Sequence, residues 1–517
     1  MMNSFRRGYA ILLTLALIAF AVFYCVAKDS VQLNRQGDAA LFEQLAENVH
    51  AGRGVVSQVF SQTQNFIDRS YAGTPPDVLF ERAVSGQLIE PATEERSMLG
   101  FHAYFVLYPI SLLLYLMSSS MALVVWQTAA YCGLLWVACS FVARRSGSLA
   151  LALMFGMIVV VNPNWFLGIQ GQFYPDRLFV CAGFVLMWAL HIRARLWSLL
   201  LISLFLVVLN ERAALIGGLL IGMHAVLFGI GQGAPARSRV VTLIGIAGLL
   251  LVYAFLAKKY ILTNAYYSSY MPASLSHLMD RLADGAFSRG IARNLLNNAF
   301  LLIPALFAPR YFLMALVVLA PNIVGSIGGA EKVGWSTHYH SYYFPVLVFA
   351  AAAGFVNLYG YLRSRIKWVM PAFALLSVVS VVAQEAGAWS EMGKPSQWLS
   401  SSLAQYLAYQ KGQPTGYELR KRISESFTPG TLISTNELGM ALLHQQNSVA
   451  PFPMGLREAD GILVDCSDLT RKVRLVPPTH ADVEVIELLR DRFQFDARTV
   501  EQVFPGYCAV HKTKSSR

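Results

Sequence analysis

The stretch that decides the fold runs from Gly8 to Gly54: "GYAILLTLALIAFAVFYCVA" (Gly8–Ala27), then, after a short polar link, "RQGDAALFEQLAENVHAGRG" (Arg35–Gly54). The first part is a hydrocarbon run long enough to cross a bilayer core of roughly 30 Å. The second opens on an acid, Asp38, at the mouth of that span. It continues in good helix formers and stops at glycines. This pairing of a membrane anchor with a polar, acid-led segment recurs in character along the whole chain.

The composition agrees with a membrane setting. Of 517 residues, 55% are hydrophobic and 14% charged, and the mean hydropathy is +0.48. A soluble domain carries about a quarter charged residues. Further apolar runs occur near 101–118, 121–143, 149–167, 177–193, 197–209, 213–231, 240–258, 294–308, 311–326, 342–362 and 368–385. The chain therefore reads as an all-α polytopic membrane protein.

The net charge of +11 does not point to nucleic acid. The basic residues sit in short loops between apolar runs: "ARRSG" (143–147), "IRARLW" (192–197), "APARSR" (234–239), "APRY" (308–311) and "RSRIK" (363–367). That is the positive-inside pattern of a protein whose partner is the lipid bilayer. Placing all five loops in the cytoplasm requires one early run not to cross. The run 101–118, which starts near His102 and is broken by Pro109, is the one that then lies along or dips into the outer face. The result is about eleven spans in a cytoplasmic (inner) membrane, N-terminus in and C-terminus out. Residues 8–28 read as an uncleaved anchor, because the apolar run exceeds a signal h-region and no small-x-small cleavage site follows.

The predicted organisation is an anchor (1–28), a first extracytoplasmic loop with interfacial helices (29–120), a multi-span region (121–385) and a tail (386–517). The tail is charged and shows β-like runs, "TLIST" and "GILVD", around a helix-like "NELGMALLHQQ". It reads as a small soluble α/β domain on the outer side. Cys466 and Cys508 are its two cysteines, and a pair in an exported domain suits a disulfide, with two unpaired thiols as the alternative. Gly218 and Gly222 have small-xxx-small spacing, a helix-packing feature.

Charged residues within the apolar runs fall at the outer helix ends: Asp176 and Arg177 in "GQFYPDR", Glu211 and Arg212 in "LNERAA", Lys258 and Lys259 in "LAKKY". Intramembrane charge is costly, so its placement at one surface argues for a site at the outer membrane–water boundary. Asp38 suits a general base or a metal-holding carboxylate, and equally a helix N-cap. His102 suits a pocket residue or a structural hydrogen bonder. Glu211 and Arg212 suit a phosphate site, with the arginine holding the phosphate, or a neutralised structural pair. His338 and His340 in "STHYHSYYFP" suit metal ligands or an aromatic interfacial belt. The sequence has no nucleophile elbow, phosphate-binding loop, dinucleotide fingerprint or H-E-x-x-H.

A first span, an outward loop opening with Asp, and many further spans with polar turns on the same face resemble the membrane glycosyltransferases of the C superfamily. More narrowly, the chain resembles the bacterial and archaeal membrane-protein family catalogued as domain-of-unknown-function family 2079. "GDAALFEQLAENVHAGRG" is similar to that family's Asp-led, Phe-x-Gln segment, through Asp38, Phe42 and Gln44. "GFHAYFVLYPISLLLY" resembles its His-led motif, through His102. "QGQFYPDRLFV" is similar to its Phe-His-Pro-Asp turn, through Asp176, with Tyr174 where His is usual. "VVLNERAALI" resembles its Lys-Glu turn, through Glu211, with Asn210 in place of Lys. "THYHSYYFP" is similar to its His-Tyr segment, through His338 or, in the other register, His340.

What the superfamily resemblance implies is an enzyme that takes a sugar from a polyprenyl-phosphate carrier at the outer membrane surface. In that picture Asp38, Glu211 and His102 are catalytic. Gln44, Asp176, Arg212, Lys259, His338 and His340 bind substrate, with Arg212 and Lys259 on the carrier phosphate. Any metal would be an oxygen-ligated Mg²⁺ or Mn²⁺. Two other classes fit the same composition. A transporter or flippase of lipid-linked saccharides predicts midplane charges and repeat symmetry. A non-catalytic envelope-assembly protein predicts that Asp38 only caps a helix.

Overall fold

The computed structural model describes residues 2–31, 37–68, 76–84, 94–229, 234–262, 274–324, 340–365, 367–387, 394–411, 416–444, 446–474, 482–496, 500–504 and 506–513. The chain divides into two compact units. One comprises Met1–Val26, Leu99–Val106 and Leu123–Ala404; the other comprises Ala27–Met98, Leu107–Ala122 and Gln405–Arg517.

The first unit is helical. Among the described residues, five stretches are long and apolar enough to cross a membrane: Ile11–Lys28, Ser119–Ser146, Glu211–Gly229, Ser238–Ile261 and His340–Leu362. A sixth is a broken pair, Leu149–Val160 and Pro163–Gln170, bent by 62°. The bend has a local cause. Pro163 lacks an N–H and pushes Asn162 into an extended conformation (φ −69°, ψ 131°), while the Asn162 side chain caps the new helix at Asn164 N. Shorter apolar helices are Leu196–Leu209, Pro309–Pro321 and Val369–Glu385.

Several apolar runs of the sequence do not become single helices. The run 101–118 forms only the helix Leu107–Ser111 and a 3₁₀ turn, Leu112–Tyr115. The run 294–308 is split between the ends of Gly285–Asn297 and Ala299–Ala305.

The helix Ser238–Ile261, one of those long and apolar enough to cross a membrane, is apolar on its exposed as well as its buried face. On Ser238–Ile261, Leu250 is 3% exposed while its neighbour Leu249 is 70% exposed. Gly218 is a close-approach position: a Cβ there would meet the Ala247 carbonyl oxygen at 3.0 Å. The small residue thus lets the helix Glu211–Gly229 press against its neighbour's backbone.

The second unit holds a five-stranded sheet. Its order is Ser448–Pro451, Leu432–Thr435, Gly461–Asp465, Tyr507–His511, Glu501–Phe504. The first three strands are parallel, and Tyr507–His511 runs antiparallel to both of its neighbours, with Ile433 opposite Val449 and Leu463 opposite Ala509. Both "TLIST" and "GILVD" supply strands, and the helix Glu437–Leu443 starts at an Asn436 cap that accepts from Gly439 N at 3.0 Å. The helix Val485–Phe493 buries Val485, Leu488, Leu489 and Phe493 in a core with Ile462, Val464 and Val510. Cys466 and Cys508 form a disulfide across this sheet, with Cα atoms 5.0 Å apart.

The sheet is not built by the tail alone. Phe80 and Ala83, from the helix Pro76–Val84, belong to the same core. The edge strand Ser448–Pro451 is closed by Gln58, whose amide donates to Val449 O (3.0 Å) and accepts from Val449 N (3.4 Å). A glutamine side chain thereby supplies the hydrogen bonds another strand would make, blunting an edge.

Candidate functional site

In the helical unit the polar turns of the sequence converge at the starts of helices. Asn210 is extended (φ −176°, ψ 175°), and its Oδ1 accepts from Ala213 N at 2.7 Å. "NER" is thus a capped helix start, which places Glu211 and Arg212 in the first turn. Asp176 lies on the 3₁₀ turn Pro175–Leu178, which leads into the helix Phe179–His191. Tyr342 lies in the first turn of His340–Leu362. His102 and Tyr104 come from the irregular segment Leu99–Val106.

Two carboxylates organise these pieces. Asp176, 0% exposed, accepts from Tyr104 Oη (2.7 Å), Asn210 Nδ2 (3.0 Å) and the Tyr342 hydroxyl. A buried carboxylate is costly unless its lone pairs are filled, and here neutral donors fill them. Glu211, also buried, pairs through Oε1 with His102 Nδ1 (2.9 Å) and accepts from Ala103 N through Oε2 (3.0 Å). Burial pushes the His102 imidazole below its ordinary value, with Arg212 the next contributor in the same direction. His102 is therefore neutral at neutral pH. With Nδ1–H donated to Glu211, the ring's acceptor lone pair lies on Nε2. Arg212 is half-buried and within electrostatic reach of His102, Glu211 and Tyr342.

His340 is buried, and its Nε2 is 2.7 Å from the Tyr131 hydroxyl. It stands one turn-residue pair from Tyr342 on the same helix start. His338 lies outside the described residues. Lys259 does not join the cluster among the described residues: it is exposed on the turn Ala257–Ile261, with Nζ 5.1 Å from its own neighbour's ring, Tyr260.

Asp38 and Gln44 belong to the other unit. Asp38 is half-buried in the first turn of the helix Gly37–His50, where an acid complements the helix dipole. Gln44 is buried, and its Oε1 accepts from Ser57 Oγ (2.6 Å) and Val59 N (3.0 Å). Its carbonyl oxygen serves the start of the helix Gln58–Asp68.

Sequence reasoning noted Arg177 as a charge at a helix end but gave it no role, and it missed its partner Gln127 and a second group entirely. Arg177, buried beside Asp176, donates to Gly168 O and lies over the Tyr174 ring at 5.6 Å. With Gln127 Nε2, which donates to Gly168 O (2.7 Å) and Gly171 O (2.7 Å), it satisfies the C-terminal carbonyls of Pro163–Gln170. Gly171 is needed for this approach, because a Cβ there would meet the Arg177 guanidinium at 2.5 Å.

The second group is a buried asparagine network. Asn298 Oδ1 accepts from Asn164 Nδ2 (3.0 Å) and Asn162 Nδ2 (3.3 Å), Asn298 Nδ2 donates to Asn294 Oδ1 (2.9 Å), and Tyr343 Oη donates to Asn164 Oδ1 (3.3 Å). The signal was present in "NPNW" and "RNLLNN", where amides interrupt apolar sequence.

Among the described residues, no group of three or more His, Cys, Asp or Glu stands together as a metal-ligand set. No family model matches the chain, and no curated protein matches it.

Proposed function

We propose that this chain is an integral-membrane glycosyltransferase-like protein that transfers a sugar from a polyprenyl-phosphate donor at the outer face of the cytoplasmic membrane. In this reading about eleven apolar segments cross the bilayer, the N-terminus is cytoplasmic, and the tail forms an extracytoplasmic α/β domain. The family resemblance of the sequence motifs belongs to the same proposal.

The observation that supports it best is the His102–Glu211 pair at 2.9 Å beside the half-buried Arg212. An imidazole held by a carboxylate through Nδ1 is arranged to accept a proton at Nε2, as a general base toward an acceptor hydroxyl requires. Arg212 and the N-terminus of its helix favour an anion, suiting the carrier phosphate that leaves. The reaction forms a bond from the acceptor oxygen to the anomeric carbon and breaks the bond from that carbon to the phosphate oxygen. The acceptor proton passes to the base, and the carrier departs as a phosphomonoester. Asp176, filled by Tyr104, Asn210 and Tyr342, fixes the geometry and takes no proton in this scheme. The described residues do not supply a ligand set for Mg²⁺ or Mn²⁺, so no step is assigned to a metal. Asp38 is assigned separately, on the sequence resemblance, as a carboxylate serving the reaction.

The test is turnover of purified protein in lipid against a panel of polyprenyl-phosphate sugars, read as release of carrier phosphate. Wild type is compared with Asp38→Asn, His102→Gln and Arg212→Gln at matched melting temperature. Loss of turnover in His102→Gln and Arg212→Gln supports the assigned roles. Activity in Asp38→Asn equal to wild type reduces Asp38 to a helix-start residue. No turnover by wild type on any donor overturns the reading.

A further inference from the structure

The five basic loops that alternate with apolar runs need not meet in space, yet four of them do. Arg145, Arg193, Arg239 and Arg310 each come from a different loop. They surround one aromatic stack in the helical unit: the rings of His224 and Phe228 lie 4.6 Å apart, and those of Phe228 and Tyr311 lie 4.8 Å apart. Tyr311 joins His191 through a 2.7 Å hydrogen bond to Nδ1. Arg310 places Cζ 5.2 Å from the Phe228 ring centroid. Arg145 is within electrostatic reach of His191 and Tyr311, and Arg193 and Arg239 are within reach of His224 and of each other. Arg239 is anchored by donating to Ala194 O at 2.8 Å. Arg193 is held in the left-handed region (φ 52°), where a non-glycine residue is uncommon.

This cluster lies away from the candidate site. Asp176 precedes the helix Phe179–His191, and His191 ends it; those 13 residues span roughly 20 Å. Glu211 starts the helix Glu211–Gly229, and His224 lies near its other end.

Three features call for an anion. The stretches 119–175, 177–210, 212–279, 285–330 and 332–384 contain no Asp or Glu, so the elements that carry the arginines bring no carboxylate to them. The arginines are exposed or half-buried over a buried floor of Tyr311 and His224. His224 is 8% exposed, and its Nδ1 has no hydrogen-bond partner among the described residues. Guanidinium groups recognise phosphate oxygens by paired N–H donors, and converging cations repel one another, so an anion among them is favoured.

The source of that anion is also marked. Ile192 (58% exposed) and Trp197 (57% exposed) flank Arg193, forming an apolar and aromatic margin of the kind that lies at a membrane–water interface. We propose that Arg145, Arg193, Arg239 and Arg310, over the His191–Tyr311 pair and the His224–Phe228 stack, bind the phosphate of an anionic phospholipid headgroup whose acyl chains run along the adjoining apolar helices.

The test uses full-length, delipidated protein and native mass spectrometry. Dioleoyl phosphatidylglycerol is titrated against dioleoyl phosphatidylcholine. Wild type is expected to retain the anionic lipid preferentially. Arg193→Gln, Arg239→Gln and Arg310→Gln each weaken retention on the order of fivefold, as expected for about one surface cation's attraction. Arg365→Gln, whose guanidinium lies 4.0 Å from its own neighbour ring Tyr361, leaves retention unchanged.

Equal retention of the two lipids by wild type overturns the proposal and needs no variant to fold. So does loss in Arg365→Gln equal to that in the other three. A parallel thermal unfolding series with inorganic phosphate separates the sources. Stabilisation by free phosphate matching that by phosphatidylglycerol vesicles marks a soluble-phosphate site and overturns the lipid assignment.

Discussion

His102 and Glu211, 109 residues apart in sequence, are joined by a 2.9 Å hydrogen bond, and the same carboxylate accepts the Ala103 N–H at 3.0 Å. One side chain thus ties an irregular segment to the start of the apolar helix Glu211–Gly229. The pair fixes the tautomer of a buried imidazole at the point where Arg212 emerges. Its removal is expected to affect both stability and chemistry.

Glu211→Ala leaves His102 Nδ1 and Ala103 N buried without their acceptor. Hydrogen bonds to a charged group contribute about 1.5–3 kcal/mol. The expected result is a fall in stability on the order of 3 kcal/mol, with a smaller fall for Glu211→Gln, which keeps one acceptor oxygen. Thermal unfolding in a fixed lipid or detergent checks the order. Equal losses in the two variants would show that the acceptor contributes nothing.

The pH dependence follows from His102. Its folded-state value lies below the ordinary 6.5, because burial disfavours the imidazolium. The unfolded chain therefore binds more protons in the window between the two values. The stability that His102 contributes is fully present above about pH 6.5 and is lost as pH falls through that value toward the folded one. Melting temperature is expected to decline from pH 7.5 to pH 5, and His102→Gln is expected to flatten that part of the profile. The slope from one such group cannot exceed about 1.4 kcal/mol per pH unit.

Gln58→Leu is expected to uncover the strand Ser448–Pro451, because both amide atoms of Gln58 pair with Val449. Each such bond contributes about 1 kcal/mol. The direct readout is hydrogen–deuterium exchange at Val449, which should speed while the sheet interior at Ile462 stays protected. Unchanged exchange at Val449 would mean that the edge is protected by something other than this side chain.

The disulfide Cys466–Cys508 closes a sequence separation of 42 residues. A loop of that size corresponds to about 2–4 kcal/mol of stabilisation. Reductant should lower the unfolding temperature of wild type and leave Cys466→Ser/Cys508→Ser unmoved. None of Cys25, Cys132, Cys139 and Cys181 is disulfide-bonded, so they offer no second bridge to reduce. A reductant effect that persists in the double variant would place it elsewhere.

Sequence patterning by itself identified the apolar runs, since hydropathy is a sum over neighbours and needs no fold. It likewise marked helix ends as the place of charge, and the strands in "TLIST" and "GILVD". It paired the cysteines as one of two alternatives. The helix start at Glu211 was legible as a turn, because its cap is local: Asn210 Oδ1 accepts from Ala213 N.

Tertiary structure alone decided which polar residues meet. Asp176 is filled by hydroxyls and an amide from three distant segments, and no spacing rule connects Tyr104, Asn210 and Tyr342. The same holds for Phe80 in the core of the sheet, for Gln58 at its edge, and for the four arginines around Phe228 and His224. Helix and strand periodicity are set by bonds between near neighbours. The partners of a buried polar group are set by which surfaces pack, and each such group takes whatever donor or acceptor that packing brings within about 3 Å.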